Sequence, residues 1–392
     1  MNLAALRHRL HARPEVGLYL PETQRTVLST LAGLDVEVST GTALSSVTAV
    51  LRGRRRTGGP VVLLRTDLDA LPVTETAAVP YKSTVDGVMH ACGHDLHTAM
   101  LLGAVHRLAA RADELAGDVL FCFQPGEEGH GGARTMLAEG LLNAAGRTPV
   151  AAYALHVFGD VVPHGVVATR PGPVMAGSDG MRVTVHGRGG HASTPHRAAD
   201  PIPPACEMVT ATQALVARGF DAYDPVVVTV GTIHAGTRRN IIPDSAELEL
   251  SIRTFSTAAR EAVLDRLTAL YQGIAAAHGL TVTVSPIPVH PPTVNDDTEA
   301  RLVLDTAADL FGTDRATALP HPLTASEDFA YLLREVPGAF VVLGAAPRGV
   351  APADSPSNHA ADVVFADDVL DDGADLLAEL AVRRLASVGG AG

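Results

Sequence analysis

The sequence predicts an α/β protein, a mainly parallel-sheet domain interrupted by an inserted ferredoxin-like α+β domain. Three observations point there. Continuous apolar runs at 61–64, 119–123 and 151–155 alternate with helical patterns, as strands buried on both faces of a parallel sheet do. Pro-rich stretches, Arg170-Pro171-Gly172-Pro173 and Pro286-Ile287-Pro288-Val289-His290-Pro291-Pro292, bracket a segment of different pattern. Inside that bracket the elements run β-α-β-β-α-β. At 392 residues the chain exceeds the size at which one core keeps growing. The boundaries fall at 1–174 with 291–392 for a discontinuous first domain, and at 175–290 for the insert.

Taken in order, helices are predicted at 3–10 and 23–31, separated by Pro14 and Pro21. A strand at 47–51 and a charged turn at 54–59 follow. The strand at 61–64 runs out into Asp67-Leu68-Asp69. A helix at 97–111 is apolar nearly all round (Ala99, Met100, Leu101, Leu102, Ala104, Val105), so it packs on both sides. The strand at 119–123 delivers Glu127 and Glu128 at its C-terminal end, and the strand at 151–155 delivers His156. In the insert, strands are expected at 181–185, 226–233, 246–253 and 280–284, with helices at 200–217 and 257–278. Apolar Ala246, Leu248, Leu250 and Ile252 alternate with Glu247, Glu249, Ser251 and Arg253, the mark of a sheet with one wet side. An edge strand or helix there offers a pairing surface to a second subunit. The remainder returns to the first domain with helices at 298–311, 327–333 and 369–386 and a buried strand at 339–343. A polar loop, Ser355-Pro356-Ser357-Asn358-His359, precedes the last helix.

The composition, 46% hydrophobic and 19% charged, is that of an ordinary globular protein. A formal net charge of -13 argues against nucleic acid or an anionic membrane as partner and suits a protein that attracts cations. The start, with basic residues inside it, reads as an amphipathic helix and not as a signal peptide. No charge-free run reaches the ~18 residues of a membrane span. Three cysteines (Cys92, Cys122, Cys206) are too few and too odd in number for a disulfide framework, so a reducing cytoplasm is expected. Lys82 is the single lysine, which removes a P-loop and leaves little room for Schiff-base chemistry.

Candidate chemistry centres on Cys92-Gly93-His94-Asp95-Leu96-His97. A thiol and an imidazole one residue apart on extended backbone point to the same side, where both could grip one metal. Glu128, His156 and His359 add oxygen and nitrogen donors at the same sheet edge, where ligands of parallel sheets sit. Zinc takes these donors, normally about four per ion. Five are one too many for a closed single site and fit a pair of ions sharing a bridging ligand and a water. Taken singly, His156 reads as a core histidine, Cys92 as an apolar filler and the Glu127-Glu128 pair as a solvated loop. All five at one edge weigh against that. Of the adjacent glutamates, Glu127 is assigned as general base and Glu128 as ligand, an order the sequence alone does not fix.

The motifs His90-Ala91-Cys92-Gly93-His94-Asp95-Leu96-His97, Gln124-Pro125-Gly126-Glu127-Glu128-Gly129, Ala154-Leu155-His156-Val157, Gly189-Gly190-His191-Ala192, Asn240-Ile241-Ile242-Pro243-Asp244 and Ser326-Glu327-Asp328-Phe329 occur in that order. Together they resemble the metal-dependent amidohydrolase branch of the aminoacylase and glutamate carboxypeptidase family, the branch with hippurate hydrolases and indole-acetyl-amino-acid hydrolases. The resemblance implies Cys92, His94, Glu128, His156 and His359 as ligands of two divalent ions per subunit, zinc or manganese, with cobalt or nickel as competitors. It implies Glu127 as base and His191 as a residue that reaches a partner subunit's site to polarise the scissile carbonyl. Asn240 and Arg253 would bind the substrate's acyl oxygen or carboxylate. Asp69 and Asp95 would support the ligands from behind, although Asp67 stands where the family's other branches carry a His. For Ser326 and Glu327, N-capping of the helix at 327–333 is an equal explanation.

The implied activity is hydrolysis of the amide bond of a small-molecule N-acyl amino acid by a cytoplasmic homodimer or higher homo-oligomer, associated through the insert, which serves as dimerisation and lid domain. A dipeptidase or carboxypeptidase on the same scaffold and a non-catalytic metal-binding relative are the alternatives. A cysteine-nucleophile hydrolase fits less well, because His94 is too near Cys92 in sequence to act as its base.

Overall fold

The computed structural model describes residues 1–56 and 58–389; Thr57, in the expected turn at 54–59, lies outside them. The chain opens with α1 (Leu3–His11), α2 (Pro21–Leu31), β1 (Glu37–Thr40), β2 (Val47–Leu51), β3 (Val61–Asp67), α3 (His94–Ala109), β4 (Asp118–Gln124) and α4 (Gly132–Ala138). Next come β5 (Ala151–Phe158), β6 (Val167–Thr169), β7 (Gly172–Met175), β8 (Gly177–His186), β9 (Gly190–His191), α5 (Ile202–Gly219), β10 (Val226–Ala235), β11 (Ile241–Ile242) and β12 (Ser245–Thr254). The rest is α6 (Thr257–Ala277), β13 (Thr281–His290), β14 (Thr293–Asn295), α7 (Asp297–Phe311), β15 (Ala316–Ala318), α8 (Ala330–Leu333), β16 (Gly338–Gly344) and α9 (Leu370–Gly389). Two compact units divide the chain: Met1–Val174 with Val294–His321 and Asp328–Gly392, and Met175–Thr293 with Pro322–Glu327.

The first unit holds a sheet ordered β1-β2-β4-β3-β5-β16-β6-β15. Its centre, β4-β3-β5-β16, is parallel. Toward the edges β1, β2 and β6 pair antiparallel. Every residue of β3, β4, β5 and β16 is buried, which is why these strands read as continuous apolar runs. Helix α3 packs between β3 on one side and α1 and α9 on the other, and its apolar surface all round follows from that.

Three local expectations are corrected. Helix α3 starts at His94, not at 97, because Gly93 takes a left-handed conformation (φ 85°) that turns the chain directly into the helix. Cys92 and His94 therefore do not share one face of an extended strand. Strand β5 continues to Phe158, so His156 lies inside the strand. The helix expected at 327–333 begins at Ala330, and neither Ser326 nor Glu327 caps it.

The second unit has an antiparallel sheet ordered β10-β12-β8-β13. Alternate residues of β8 and β12 share a core with α5 and α6, including Met181, Val183, Leu248, Leu250, Met208, Val263 and Leu267. The other residues of β12 form the wet side. The Pro-rich stretch at 286–292 is not a hinge throughout, since β13 runs on to His290. Pro286 and Pro288 are tolerated because β13 is an edge strand with one partner, β8. Residues 322–327 join this unit through a bridge between Met175 and Leu323.

A buried ionic cluster ties α1 of the first unit to the start of α3. Asp95 accepts from Arg7 Nε at 2.6 Å and pairs with His11 Nδ1 at 2.8 Å, while His11 Nε2 faces Glu75 at 3.2 Å. Burial pushes the His11 imidazole down, but the Asp95 carboxylate more than offsets this and its pKa is raised above 6.5. That contribution is complete below the unfolded value and is lost as pH rises through the higher folded value. Replacing His11 by Leu leaves two buried carboxylates facing each other and is expected to destabilise by about 3–5 kcal/mol at about pH 6. Urea unfolding across the pH range should show the gap to wild type narrowing as pH climbs; a constant gap contradicts the assignment.

Candidate metal centre

The C-terminal ends of β3, β4 and β5 and the start of α3 bring the donors of the first unit together. One donor atom from each of Cys92, His94 and Glu128 lies within 4.8 Å of the others, and so it is for Asp67, His94, His97 and His156. His94 is common to both groups. Cys92 Sγ lies 3.4 Å from His156 Nε2 and 3.2 Å from His359 Nε2. His359 Nε2 is also 3.2 Å from Glu128 Oε1. All five residues expected as ligands thus converge. His359 arrives with a φ of 73°, the one positive φ outside glycine among the described residues, held by a bond from its N–H to the Ala91 carbonyl (2.8 Å). Such strain is kept where surrounding structure imposes it.

The chemistry of this pocket favours positive charge. His94 is fully buried, and neither ring nitrogen makes a hydrogen bond. Its nearest carboxylate oxygens are at 3.7 Å (Asp69), 3.8 Å (Asp67) and 4.0 Å (Glu128). Burial works against a charged His94, yet Asp67 overrides it and drives the imidazole well above its ordinary pKa. Hydrogen bonds to Cys92 and Glu128 push His359 up to about 10. His156 goes the other way, burial and the neighbouring His97 keeping it neutral and well below its usual range. A fully buried imidazole, His94, without hydrogen-bond partners, set among two further imidazoles, a thiol and a carboxylate, belongs to the donor set of a divalent transition metal, and the residues fit such ions.

Supporting contacts fix the donors. Asp69 accepts the backbone N–H of Glu127 (3.0 Å) on one oxygen and that of Glu128 (3.1 Å) on the other, so it orients the glutamate pair. Asp67 receives His97 Nδ1 at 2.7 Å and Arg65 at 2.8 Å. His97 Nε2 accepts the Val157 N–H at 2.8 Å, which fixes the tautomer and takes its lone pair out of the donor set. It braces the backbone beside His156 instead. Asp95, expected to support the ligands, directs its hydrogen bonds to Arg7 and His11. Glu127 is buried, and its Oε1 accepts the Asp328 N–H at 3.4 Å.

Arg65, His97 and Asp328 received no role from the sequence. The readable signal was Arg65 itself. An arginine within a continuously apolar strand has to find buried carboxylates.

In the second unit, β9 and β11 pair with His191 opposite Ile241, and the Asn240 carbonyl accepts the Ala192 N–H at 3.2 Å. His191 and Asn240 are therefore neighbours. The His191 side chain is exposed, and its Nδ1 accepts from the Ser193 N–H (3.1 Å). Arg253 lies on β12 and donates to Ser326 Oγ at 3.3 Å.

A model of peptidase family M20/M25/M40 matches residues 63–383. Thermostable carboxypeptidase 2 of Saccharolobus solfataricus is 36% identical over 96% of this chain and 94% of its own length. N-acetylcysteine deacetylase of Bacillus subtilis is 37% identical over 88% of each chain. Among solved structures, the Bacillus subtilis YXEP protein, described as a dinuclear metal binding peptidase from the M20 family, superposes with a TM-score of 0.84 at 32% identity, covering 98% of both chains.

Two substitutions probe this geometry. Asp69→Asn leaves one acceptor for two N–H groups and is expected to lower activity or metal affinity about 10–100-fold, measured by turnover and elemental analysis. Wild-type values for both would remove Asp69 from the site. Gly93→Ala meets a left-handed backbone and places a Cβ 2.4 Å from Val157 Cγ2. A stability loss of about 1–3 kcal/mol is expected, and an unchanged melting temperature contradicts it.

Proposed function

The chain belongs to peptidase family M20/M25/M40, and within it we propose that this metal-dependent amide-bond hydrolase cleaves N-acyl amino acids into a carboxylic acid and a free amino acid. The observation that carries the reading is the meeting of Cys92, His94, Glu128, His156 and His359, with Glu127 on the same loop as Glu128. Two divalent ions held by those five residues would supply Lewis acidity and a water of lowered pKa when bound.

Glu127 is the general base. Its carboxylate takes a proton from the attacking water and passes it to the leaving amine as the C–N bond breaks. Asp69 holds the Glu127 and Glu128 N–H groups, so that one glutamate is turned to serve as ligand and its neighbour to serve in proton transfer. His191, exposed on β9, would donate to the developing oxyanion of the scissile carbonyl, the type of contact that contributes most in acyl transfer. In this reading it acts across a homodimer formed through a ferredoxin-like second unit. Asn240 and Arg253 would hold the acyl oxygen and the carboxylate of the amino-acid half.

Peptide hydrolysis is the second reading, because a carboxypeptidase and a deacetylase resemble this chain to nearly the same degree. A panel of N-acetyl and N-benzoyl amino acids beside dipeptides separates the two. Preference for the acyl amino acids is expected; turnover confined to peptides would overturn the assignment. Glu127→Gln should keep its bound metal while kcat falls about 100- to 10,000-fold. Retained turnover would remove Glu127 from the mechanism, and activity that survives a chelator would remove the metal.

A further inference from the structure

We propose that Asp328, with Gln124 and Arg65, is a clamp that closes the loop carrying Glu127 and Glu128 and sets the position of Glu127. It is a positioning group and has no part in the chemistry itself. The proposal rests on Glu127 being the base.

The loop runs from Gln124, the last residue of β4, to Ala133 in the first turn of α4. Both of its ends are held by one carboxylate. Gln124 Nε2 donates to Asp328 Oδ1 (2.7 Å) and Oδ2 (2.8 Å), and the Ala133 N–H donates to Oδ2 (3.0 Å). The middle is held from the other side by Asp69, which takes the N–H groups of Glu127 and Glu128. The Asp328 N–H reaches Glu127 Oε1 at 3.4 Å, so the residue that closes the loop also touches the base.

Arg65 makes the clamp rigid. It donates through Nε to Gln124 Oε1 (3.0 Å), through one terminal nitrogen to Asp67 (2.8 Å) and through the other to Asp328 (2.9 Å). Arg65, Gln124 and Asp328 are all buried, at 2%, 0% and 0% exposure. A fully buried guanidinium is costly unless every donor is matched, and here its fork fits three fixed acceptors. Through Asp67 the same arginine bears on His97, and through His97 on the backbone beside His156. One buried cation therefore sets the spacing between the glutamate loop and the histidine side of the site. A glutamate loop of this length and glycine content, with Gly126, Gly129 and Gly131 all at positive φ, would otherwise sample many conformations.

The test is a polarity swap. In D328N one face of the carboxylate becomes a donor that confronts the Gln124 amide. In Q124E two carboxylates confront each other. In Q124E/D328N the donor and acceptor exchange places across the 124–328 contact, Arg65 Nε keeps an acceptor and the total charge is unchanged, while residue 328 offers one oxygen to the Arg65 terminal nitrogen and the Ala133 N–H where Asp328 offered two. Each single variant is expected to lower kcat about 10–100-fold with KM and metal content near wild type, and to speed amide hydrogen exchange in 125–132. The swap should raise kcat about three- to tenfold above the worse single variant and slow exchange again at the Gln124 end of the loop, the Ala133 end staying faster than in wild type. Unchanged kcat in D328N, a loss of activity that only follows loss of metal, or a swap no better than the worse single variant would each overturn the clamp. Glu127→Gln run in parallel keeps the two readings apart. Full turnover there removes the base, whereas the swap and the exchange rates report on the clamp whether or not Glu127 takes the proton.

Discussion

The organising constraint of the first unit is carboxylate charge gathered where the central strands end. Asp67, Asp69, Glu127 and Asp328 are buried there, and Glu128 nearly so. An ionised carboxylate taken out of water costs several kcal/mol unless it is matched. Arg65 answers Asp67 and Asp328, and backbone N–H groups answer Asp69. The balance falls to His94, driven toward the charged form against its burial chiefly by Asp67, and to His359, driven there by hydrogen bonds to Cys92 and then Glu128. A pocket that raises the pKa of a fully buried histidine is one that recruits cations.

The fold supplies the rigidity this arrangement needs. β3 lies between β4 and β5 in the parallel centre of the sheet, so Arg65 is fixed by ladders on both sides and Asp67, two residues on along the same face, by the ladder to β4. Asp69 follows just beyond the end of the strand. Behind His94, the Arg7–Asp95–His11 cluster anchors the first turn of α3 to α1. His94 thus stands between an ionic cluster that anchors its helix and the carboxylates near its ring.

Much of this was legible in the sequence, and the reasons are specific. Strands buried on both faces leave uninterrupted apolar runs, so β3, β4, β5 and β16 could be placed, and with them the edge at which ligands gather. The family suggested by the motifs is the one whose model matches the chain. What escaped was set by single backbone conformations and by long-range pairing. The left-handed Gly93 moves the start of α3 onto His94, and no periodicity reports a φ. Asp328 resembled part of a helix start, but its carboxylate caps α4, nearly two hundred residues away in sequence. His97 drew no role from its place in the motif, because its work depends on Asp67 and the Val157 N–H, partners 30 and 60 residues away in the chain. The prolines at 286 and 288 signal a hinge, yet an edge strand accommodates them equally well.

The account stands on the pocket being built for two divalent ions. Calorimetric titration of the chelator-stripped chain with zinc or manganese measures this most directly. Saturation at two equivalents per chain, falling when Cys92 is replaced by Ser, is the result the account predicts; saturation at one equivalent, or no binding, would contradict it.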